Sequence, residues 1–159
     1  MRVFSRTPLG GNVEDYIVAP PPFFLPTARV QITTPVPVEL YFMHGARPRS
    51  GQRLRLRELQ FTAVEEALAG TSVPTLVVGD MNATVLSPAF ASMLRRTGLR
   101  AAISGHHDSP SWPSVAGPLG VRTDHVLVRG FEVCRVDRGP SFGSDHHAIV
   151  AELTLEVPE

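Results

Sequence analysis

Three aspartates stand beside residues that can bind a cation or an anion. Asp80 lies in Gly-Asp-Met-Asn with Asn82, Asp124 lies in Arg-Thr-Asp-His, and Asp145 lies in Gly-Ser-Asp-His-His beside His146. Carboxylates suit Mg²⁺ or Mn²⁺, which bind through one or two of them plus water and substrate phosphate. Histidine exchanges protons near neutral pH, and an asparagine amide donates to anionic oxygens.

This set of side chains matches the needs of phosphate-ester hydrolysis. A water must lose a proton, the charge on the phosphoryl oxygens must be met, and the leaving oxygen must be stabilised. Each motif alone is weak, however. Gly-Asp-Met-Asn also describes a turn in which Asp80 and Asn82 satisfy backbone groups, and the motifs around Asp124 and Asp145 also describe polar residues that open strands.

Two helices are predicted among the elements that must position these residues. The first covers residues 50–70, where apolar side chains recur at helical spacing and Gly70 is a stop. That apolar set is Leu54, Phe61, Val64 and Leu68. The second begins near Ser87-Pro88, with the serine as cap, and stops at Thr97-Gly98.

The rest of the pattern is mostly strands. Strands are predicted at residues 13–18, 28–33, 38–43, 75–78, 123–128, 131–136 and 147–157, with a long surface loop at 104–120. The mixture predicts α/β layers. Asp80, Asp124 and Asp145 fall at strand ends or in short loops, where several strands can direct side chains to one point.

Composition limits the class of protein. The 159 residues are 43% hydrophobic and 19% charged, with 15 basic and 15 acidic residues, which predicts one globular domain over residues 1–159. Zero net charge neither indicates nor excludes nucleic acid. No apolar run approaches the roughly 20 residues that span a bilayer, so a soluble chain is expected. The lone Cys134 leaves the compartment open and is expected in the core.

Four motifs in one order resemble a known family. They are Gly-Asp-Met-Asn, Ser-Trp-Pro-Ser, Arg-Thr-Asp-His-Val-Leu-Val and Gly-Ser-Asp-His-His-Ala-Ile-Val, within residues 75–155. Together they resemble the C-terminal half of the endonuclease/exonuclease/phosphatase (DNase I-like) family. Upstream, Val-Phe-Ser-Arg-Thr-Pro-Leu and Tyr-Phe-Met-His-Gly-Ala-Arg-Pro resemble the mid-domain strand and the central histidine motif of that family.

The resemblance implies a Mg²⁺- or Mn²⁺-dependent phosphoesterase with a nuclease-like or phosphatase-like activity. It assigns Asp80 to orienting or deprotonating the attacking water and to binding metal, and Asn82 to holding a phosphate oxygen. His146 would contact the scissile phosphate and stabilise the transition state. The substrate class stays open among nucleic acid, phospholipid and phosphoinositide.

The remaining assignments concern supporting groups. Asp124 matches an aspartate that supports a histidine, and Asp145 matches a metal ligand or a partner that orients a histidine. His44 matches the residue that serves as general acid toward the leaving group in DNase I-like members.

One departure limits the inference. The family's asparagine and its glutamate, the principal metal ligand, precede the segment that resembles residues 3–8, whereas Asn12 and Glu14 follow it. The resemblance therefore implies a four-layer α/β sandwich that is incomplete, with weak or no activity in isolation. A partner chain or self-association at the incomplete sheet edge is expected. Similar family members often carry membrane-spanning segments upstream, so the resemblance allows a longer parent protein that is membrane-anchored.

Two alternatives to hydrolysis stay open. The first is a non-catalytic remnant of the fold that acts as a binding or partner-interaction module, and the second is a nucleic-acid binder without hydrolysis. Several further residues are interpreted as structural. Trp112 is expected to pack in the core. Five arginines are expected to be solvated, and four histidines and one aspartate are expected to have structural or solvent-facing roles: Arg47, Arg49, Arg53, Arg55, Arg57, His106, His107, Asp108, His125 and His147.

Overall fold

The computed structural model describes Arg6 and residues 9–17, 26–32, 36–103 and 109–156. The strands are β1 Leu9–Ile17, β2 Pro26–Ile32, β3 Val38–Met43, β4 Thr75–Asp80, β5 Arg100–Ala101, β6 Asp124–Arg129, β7 Phe131–Arg138 and β8 Ile149–Leu155. The helices are α1 Gly51–Leu68, α2 Pro88–Thr97 and a short 3₁₀ helix at Ser114–Leu119. The two predicted helices and the predicted α/β class are confirmed.

The strands form two sheets. Six of them lie in the order β1-β2-β3-β4-β6-β5, and β7 pairs with β8 in a separate two-stranded sheet. Only the β3–β4 pair is parallel among the pairings described. Parallel neighbours cannot be joined by a tight hairpin, so α1 makes the crossover between them.

Helix α1 begins at Ser50, whose side chain accepts a hydrogen bond from the Arg53 backbone at 3.3 Å. Its buried face departs from the predicted apolar stripe. Leu54 is 38% exposed, whereas the polar side chains of Arg57 and Gln60 are buried. The stripe therefore starts later than predicted, and two polar residues lie beneath the loops that follow β3 and β4.

Helix α2 starts with Pro88 and ends at Gly98, which has a φ of 69°. That left-handed conformation suits glycine and stops the helix as predicted. Ser87 occupies the cap position, but its side chain makes no capping hydrogen bond, so the predicted cap was wrong in that detail.

Two apolar clusters cover opposite faces of the larger sheet. On one face α1 and α2 pack through a cluster that includes Phe61, Val64, Phe90 and Met93. On the other face the β7–β8 sheet packs through a cluster that includes Phe131. The described residues thus form three layers of helices, sheet and sheet, which is consistent with the incomplete four-layer sandwich that the resemblance implied.

Other predictions need correction. Cys134 is exposed, with its sulfur 3.1 Å from the Thr154 hydroxyl, because it lies on the outer face of the β7–β8 sheet. The predicted loop at 104–120 contains the 3₁₀ helix, and the strand predicted from residue 147 begins at Ile149. The tract His106-His107-Asp108 lies outside the described residues. Neither described α-helix is long and apolar enough to cross a membrane.

Candidate active site

The site is built where β4 ends and β6 begins. These strands pair antiparallel, and their register places Asp80 directly opposite Asp124. Both aspartates are partly buried. The Met81 amide donates to the Thr123 carbonyl at 2.8 Å, which continues the pairing past the strand ends. Two carboxylates are thus fixed side by side on rigid elements.

Two glycines let the loop after β3 approach the end of β4. Gly79 has a φ of 140°, and a Cβ there would collide with the Met43 carbonyl oxygen. A Cβ on Gly45 would likewise collide with the Met81 carbonyl. The Gly45 amide donates to the Asp80 carbonyl at 2.7 Å. Any larger residue at these two positions would push the loop away from Asp80.

Asn82 is held tightly against Asp80. It has a φ of 46°, its backbone amide donates to Asp80 Oδ1 at 2.9 Å, and its Nδ2 donates to Asp80 Oδ2 at 2.9 Å. The same Nδ2 lies 2.9 Å from the Gly45 carbonyl oxygen. The simple turn anticipated from Gly-Asp-Met-Asn is therefore present. It also presents the Asn82 side chain at the wall of a cavity.

Two buried residues of α1 support these loops and were missed by the sequence reasoning. Gln60 accepts from the Ala46 amide at 2.9 Å and donates to the His44 carbonyl at 2.9 Å. Arg57 donates to the Asn82 carbonyl through Nη1. Burial lowers the pKa of the Arg57 guanidinium, and the neighbouring Glu58 opposes that shift. Their positions at helical spacing before Phe61 and Val64 were the available signal.

The segment Ser-Trp-Pro-Ser ties the β7–β8 loop to β6. The buried Ser111 hydroxyl accepts from the Thr123 amide at 3.0 Å and the Asp124 amide at 3.1 Å. The Ser111 carbonyl accepts from the His147 amide at 2.8 Å, and the Ser114 amide donates to the Asp145 carbonyl at 2.8 Å. These bonds bring His146, which follows β7, to a site built by earlier strands.

The imidazole of His146 contacts both aspartates. Its Nδ1 lies 2.7 Å from Asp124 Oδ2, and its Nε2 lies 4.0 Å from Asp80 Oδ2. One ligand atom from each of these three residues lies within 4.8 Å of the others. His44 lies on the loop after β3. Its Nε2 is 3.7 Å from Asp80 Oδ2, and its side chain is 52% exposed.

Asp145 lies apart from this group. Its carboxylate accepts from Trp112 Nε1 at 3.2 Å, lies 3.8 Å from Arg47 Nη2 and is 64% exposed. Trp112 was predicted to pack in the core, and that prediction is wrong. It is 38% exposed, and its ring centroid lies 6.3 Å from that of His146.

A cavity of about 290 Å³ opens beside the three-residue group. Asn82 and His146, which interact with Asp80, line the cavity together with Trp112, Arg47 and Arg49. The arginines were interpreted from the sequence as one solvated set. The structure divides that set, because Arg57 is buried, Arg47 and Arg49 line the cavity, and Arg55 is exposed.

The two histidines interpreted as packing residues lie away from the cavity lining. His125 is buried, with Nε2 2.9 Å from the Ala83 carbonyl oxygen and its ring against Phe90. The ring nitrogens of His147 lie 3.1 Å from the Gly139 carbonyl oxygen and 3.2 Å from the Ser114 carbonyl oxygen. Both rings therefore hold loops and strands together.

A sequence model described as "Endonuclease/Exonuclease/phosphatase family" matches residues 1–146. The chain belongs to this family. No curated protein sequence matches the chain.

Solved structures share the fold of this endonuclease/exonuclease/phosphatase chain. An endonuclease/exonuclease/phosphatase from Beutenbergia cavernae superposes with a TM-score of 0.75 at 20% identity, over 95% of this chain and 46% of that one. The humanized D. rerio TDP2 gives a TM-score of 0.68 at 13% identity, over 90% and 66% respectively. Sphingomyelinase C from Streptomyces griseocarneus gives 0.54 at 22% identity, over 80% and 57%.

These likenesses concern the fold. The chain spans 46 to 66% of the length of those three structures, so it corresponds to part of the domain that they contain. Its mixed sheets and two helices are that part.

The endonuclease/exonuclease/phosphatase family is typically Mg²⁺-dependent, and the donor set here fits such a cation in part. Asp80 and Asp124 supply two hard carboxylates at one point, which is the usual protein contribution to a Mg²⁺ site. Asp124 has one oxygen bonded to His146 and a second oxygen for another partner. The carboxylate of Asp145 is not part of this group.

Proposed function

We propose that this chain carries the water-activating and phosphate-holding part of a Mg²⁺- or Mn²⁺-dependent phosphoesterase. The observation that supports this most strongly is the convergence of Asp80, Asp124 and His146, whose ligand atoms lie within 4.8 Å of one another beside an open cavity. Anionic, amide and imidazole groups at one point match the chemistry of phosphate-ester hydrolysis.

Asp80 is the proposed acceptor of the proton from the attacking water. Its Oδ2 lies 3.7 Å from His44 Nε2 and 4.0 Å from His146 Nε2, so one oxygen is close to both imidazoles. Asn82 orients this carboxylate through two hydrogen bonds and lines the cavity, where its Nδ2 would donate to a phosphate oxygen in exchange for its present bond to the Gly45 carbonyl.

His146 is the proposed contact for the scissile phosphate. A carboxylate only accepts hydrogen bonds, so Nδ1 donates to Asp124, and Nε2 is the ring atom that faces the site. A protonated ring held in this way would donate to a phosphoryl oxygen as negative charge builds there. Asp124 thus fixes the orientation and tautomer of the ring.

His44 is the proposed general acid toward the leaving oxygen. It lies on the loop after β3, its Nε2 is 3.7 Å from Asp80 Oδ2, and more than half of its side chain is exposed. An accessible imidazole beside the site would donate its proton to the leaving oxygen.

Asp80 and Asp124 are the proposed metal ligands, in preference to Asp145. Asp145 lies outside the group of converging ligand atoms, and one of its oxygens accepts from Trp112 Nε1 and lies near Arg47. When bound, the divalent cation polarises a phosphoryl oxygen and makes a bound water more acidic.

A second candidate function is a non-catalytic binding module. It is favoured by the coverage of the related structures, since the chain spans as little as 46% of one of them. The two functions predict different outcomes in one assay.

The test is Mg²⁺-dependent hydrolysis of bis-p-nitrophenyl phosphate by the full chain, by Asp80→Asn and by His146→Ala. Asp137→Asn is the matched control, because Asp137 lies on β7, 48% exposed and paired with Arg135. The phosphoesterase predicts slow turnover that needs Mg²⁺, disappears in the two site variants and persists in the control. Absence of turnover in the unmodified chain would favour the binding module, and turnover that survives both site substitutions would refute the site.

A further inference from the structure

The cavity beside the catalytic group has a wall that the hydrolysis itself does not use. That wall contains Trp112, Arg47 and Arg49, none of which belongs to the three-residue group. An aromatic ring and two guanidinium groups therefore stand next to the position proposed for the scissile phosphate.

Asp145 holds two parts of this wall in place. One of its carboxylate oxygens accepts from Trp112 Nε1 at 3.2 Å and lies 3.8 Å from Arg47 Nη2. Trp112 is 38% exposed, and a hydrogen bond that orders its ring in advance lowers the cost of binding a ligand. One carboxylate against two guanidiniums also leaves the wall with a net positive charge.

We propose that this wall binds the part of the substrate beyond the scissile phosphate, and that this part is a planar ring with a second anionic group. This inference rests on the proposed function. Trp112 stacks on the ring, and Arg47 and Arg49 pair with the second anion. Asp145 is a positioning residue that orders Trp112 and Arg47.

The size of the cavity agrees with such a ligand. At about 290 Å³ it is at the lower end of small-molecule sites, which run from roughly 300 Å³ upward. It accommodates one ring system with its anionic group. An aliphatic polyphosphate would satisfy the arginines but would leave the indole face unused.

The test uses Trp112 as its own reporter, because it is the only tryptophan in the 159-residue sequence. Indole fluorescence of the full chain is titrated in EDTA, so that no hydrolysis intervenes, and absorption by the probe is corrected with free N-acetyltryptophanamide. The probes are adenosine bisphosphate, which has a ring and two phosphates, fructose bisphosphate, which has the phosphates without an aromatic ring, and adenosine, which has the ring alone.

We expect adenosine bisphosphate to quench Trp112 and to bind about tenfold or more tightly than either of the other two probes, since stacking and charge pairing both contribute. Equal affinity for the two bisphosphates would overturn the assignment of a ring. Absence of saturable binding by any probe would overturn the assignment of the wall as a ligand site.

Variants test the role of Asp145. Asp145→Asn and Arg47→Gln should weaken binding of adenosine bisphosphate severalfold, and Arg55→Gln, on an exposed position of α1, should not. Asp145→Asn should also lower the fluorescence anisotropy of unliganded Trp112. The unfolding midpoint is measured on the same variant, and an unchanged midpoint shows that the drop in anisotropy does not come from a general loss of stability. Unaltered anisotropy and affinity in Asp145→Asn would contradict the positioning role.

The two proposals fail in different ways. Saturable, ring-dependent binding without metal-dependent turnover would refute the phosphoesterase and leave the ring-binding wall in place. Turnover that depends on Asp80 and His146 but shows no preference for a ring would refute only the wall.

Discussion

His146 Nδ1 lies 2.7 Å from Asp124 Oδ2, a bond that joins the β7–β8 loop to the first residue of β6. The bond leaves Nε2 directed toward Asp80, 4.0 Å from its carboxylate oxygen. Two motifs that are far apart in the sequence therefore act on the same point of the site. Because the ring depends on Asp124 for its orientation, the two residues should behave as one functional unit.

Asp124→Asn and His146→Ala should each lower metal-dependent hydrolysis by roughly 100-fold or more, which is the usual contribution of a positioned acid or base. At saturating Mg²⁺, which offsets the loss of Asp124 as a metal ligand, the double variant should be no slower than His146→Ala, since the remaining role of Asp124 is to orient the ring that has been removed. Initial rates of the four proteins at saturating Mg²⁺ measure this coupling. Rate losses that multiply would mean that the two residues act independently.

His44→Gln should slow esters with poor leaving groups more than esters with good ones. An alkyl leaving oxygen needs a proton from the general acid, whereas p-nitrophenolate leaves without help. We expect a loss of roughly 100-fold on a methyl ester and a small loss on the p-nitrophenyl ester. Paired measurements on the two substrates decide the role, and an equal loss on both would assign His44 to binding.

Arg57→Met should separate stability from function. Burial lowers the pKa of Arg57, so the fold disfavours its charged form, and its Nε has no hydrogen-bond partner. At neutral pH the buried charge therefore lowers stability, and this cost is relieved only as pH rises through the lowered folded-state pKa toward the unfolded-state value. Replacement by an apolar side chain of similar length should change the free energy of unfolding by less than about 1 kcal/mol.

Catalysis in Arg57→Met should nevertheless fall, because the Asn82 carbonyl loses its donor. Urea unfolding and hydrolysis are measured on the same preparation, with Arg55→Met as the exposed control on α1. A large loss of stability with unchanged turnover would be the opposite of this expectation.

Phe61 tests the core that supports the site. It is 2% exposed and lies 5.5 Å, between ring centroids, from Phe90 of α2. Phe61→Ala should reduce the free energy of unfolding by about 3–5 kcal/mol through lost burial and the cavity it leaves. Leu59→Ala, on the same helix but 55% exposed, should change it by less than about 0.5 kcal/mol. Similar losses in both variants would contradict the packing of α1 described here.

Local sequence signals were sufficient for much of the fold. The helix stop at Gly98 and the strand over residues 75–78 were predicted from the sequence, because glycine conformation and strand burial leave direct traces, although β4 continues to Asp80. The two-residue strand Arg100–Ala101 was not predicted, since two residues carry no periodicity. Cys134 was placed in the core because apolar alternation shows that a strand has two faces, but not which of them is covered.

The site was less accessible to sequence reasoning. The convergence of Asp80, Asp124 and His146 depends on an antiparallel register and on the bonds of Ser111, neither of which is visible in the spacing of motifs. The resemblance supplied the proposed roles of those residues but did not predict the separation of Asp145 from the group. Arg57 was classed with solvated arginines because charge alone did not reveal its position on the buried face of α1.

The most direct test of the central claim is Mn²⁺ binding measured by electron paramagnetic resonance on the full chain. If Asp80 and Asp124 hold one divalent cation, Asp80→Asn and Asp124→Asn should each weaken Mn²⁺ binding by roughly tenfold or more, while Asp137→Asn should bind as the unmodified chain does. Mn²⁺ affinity that is the same in all four proteins would contradict the site.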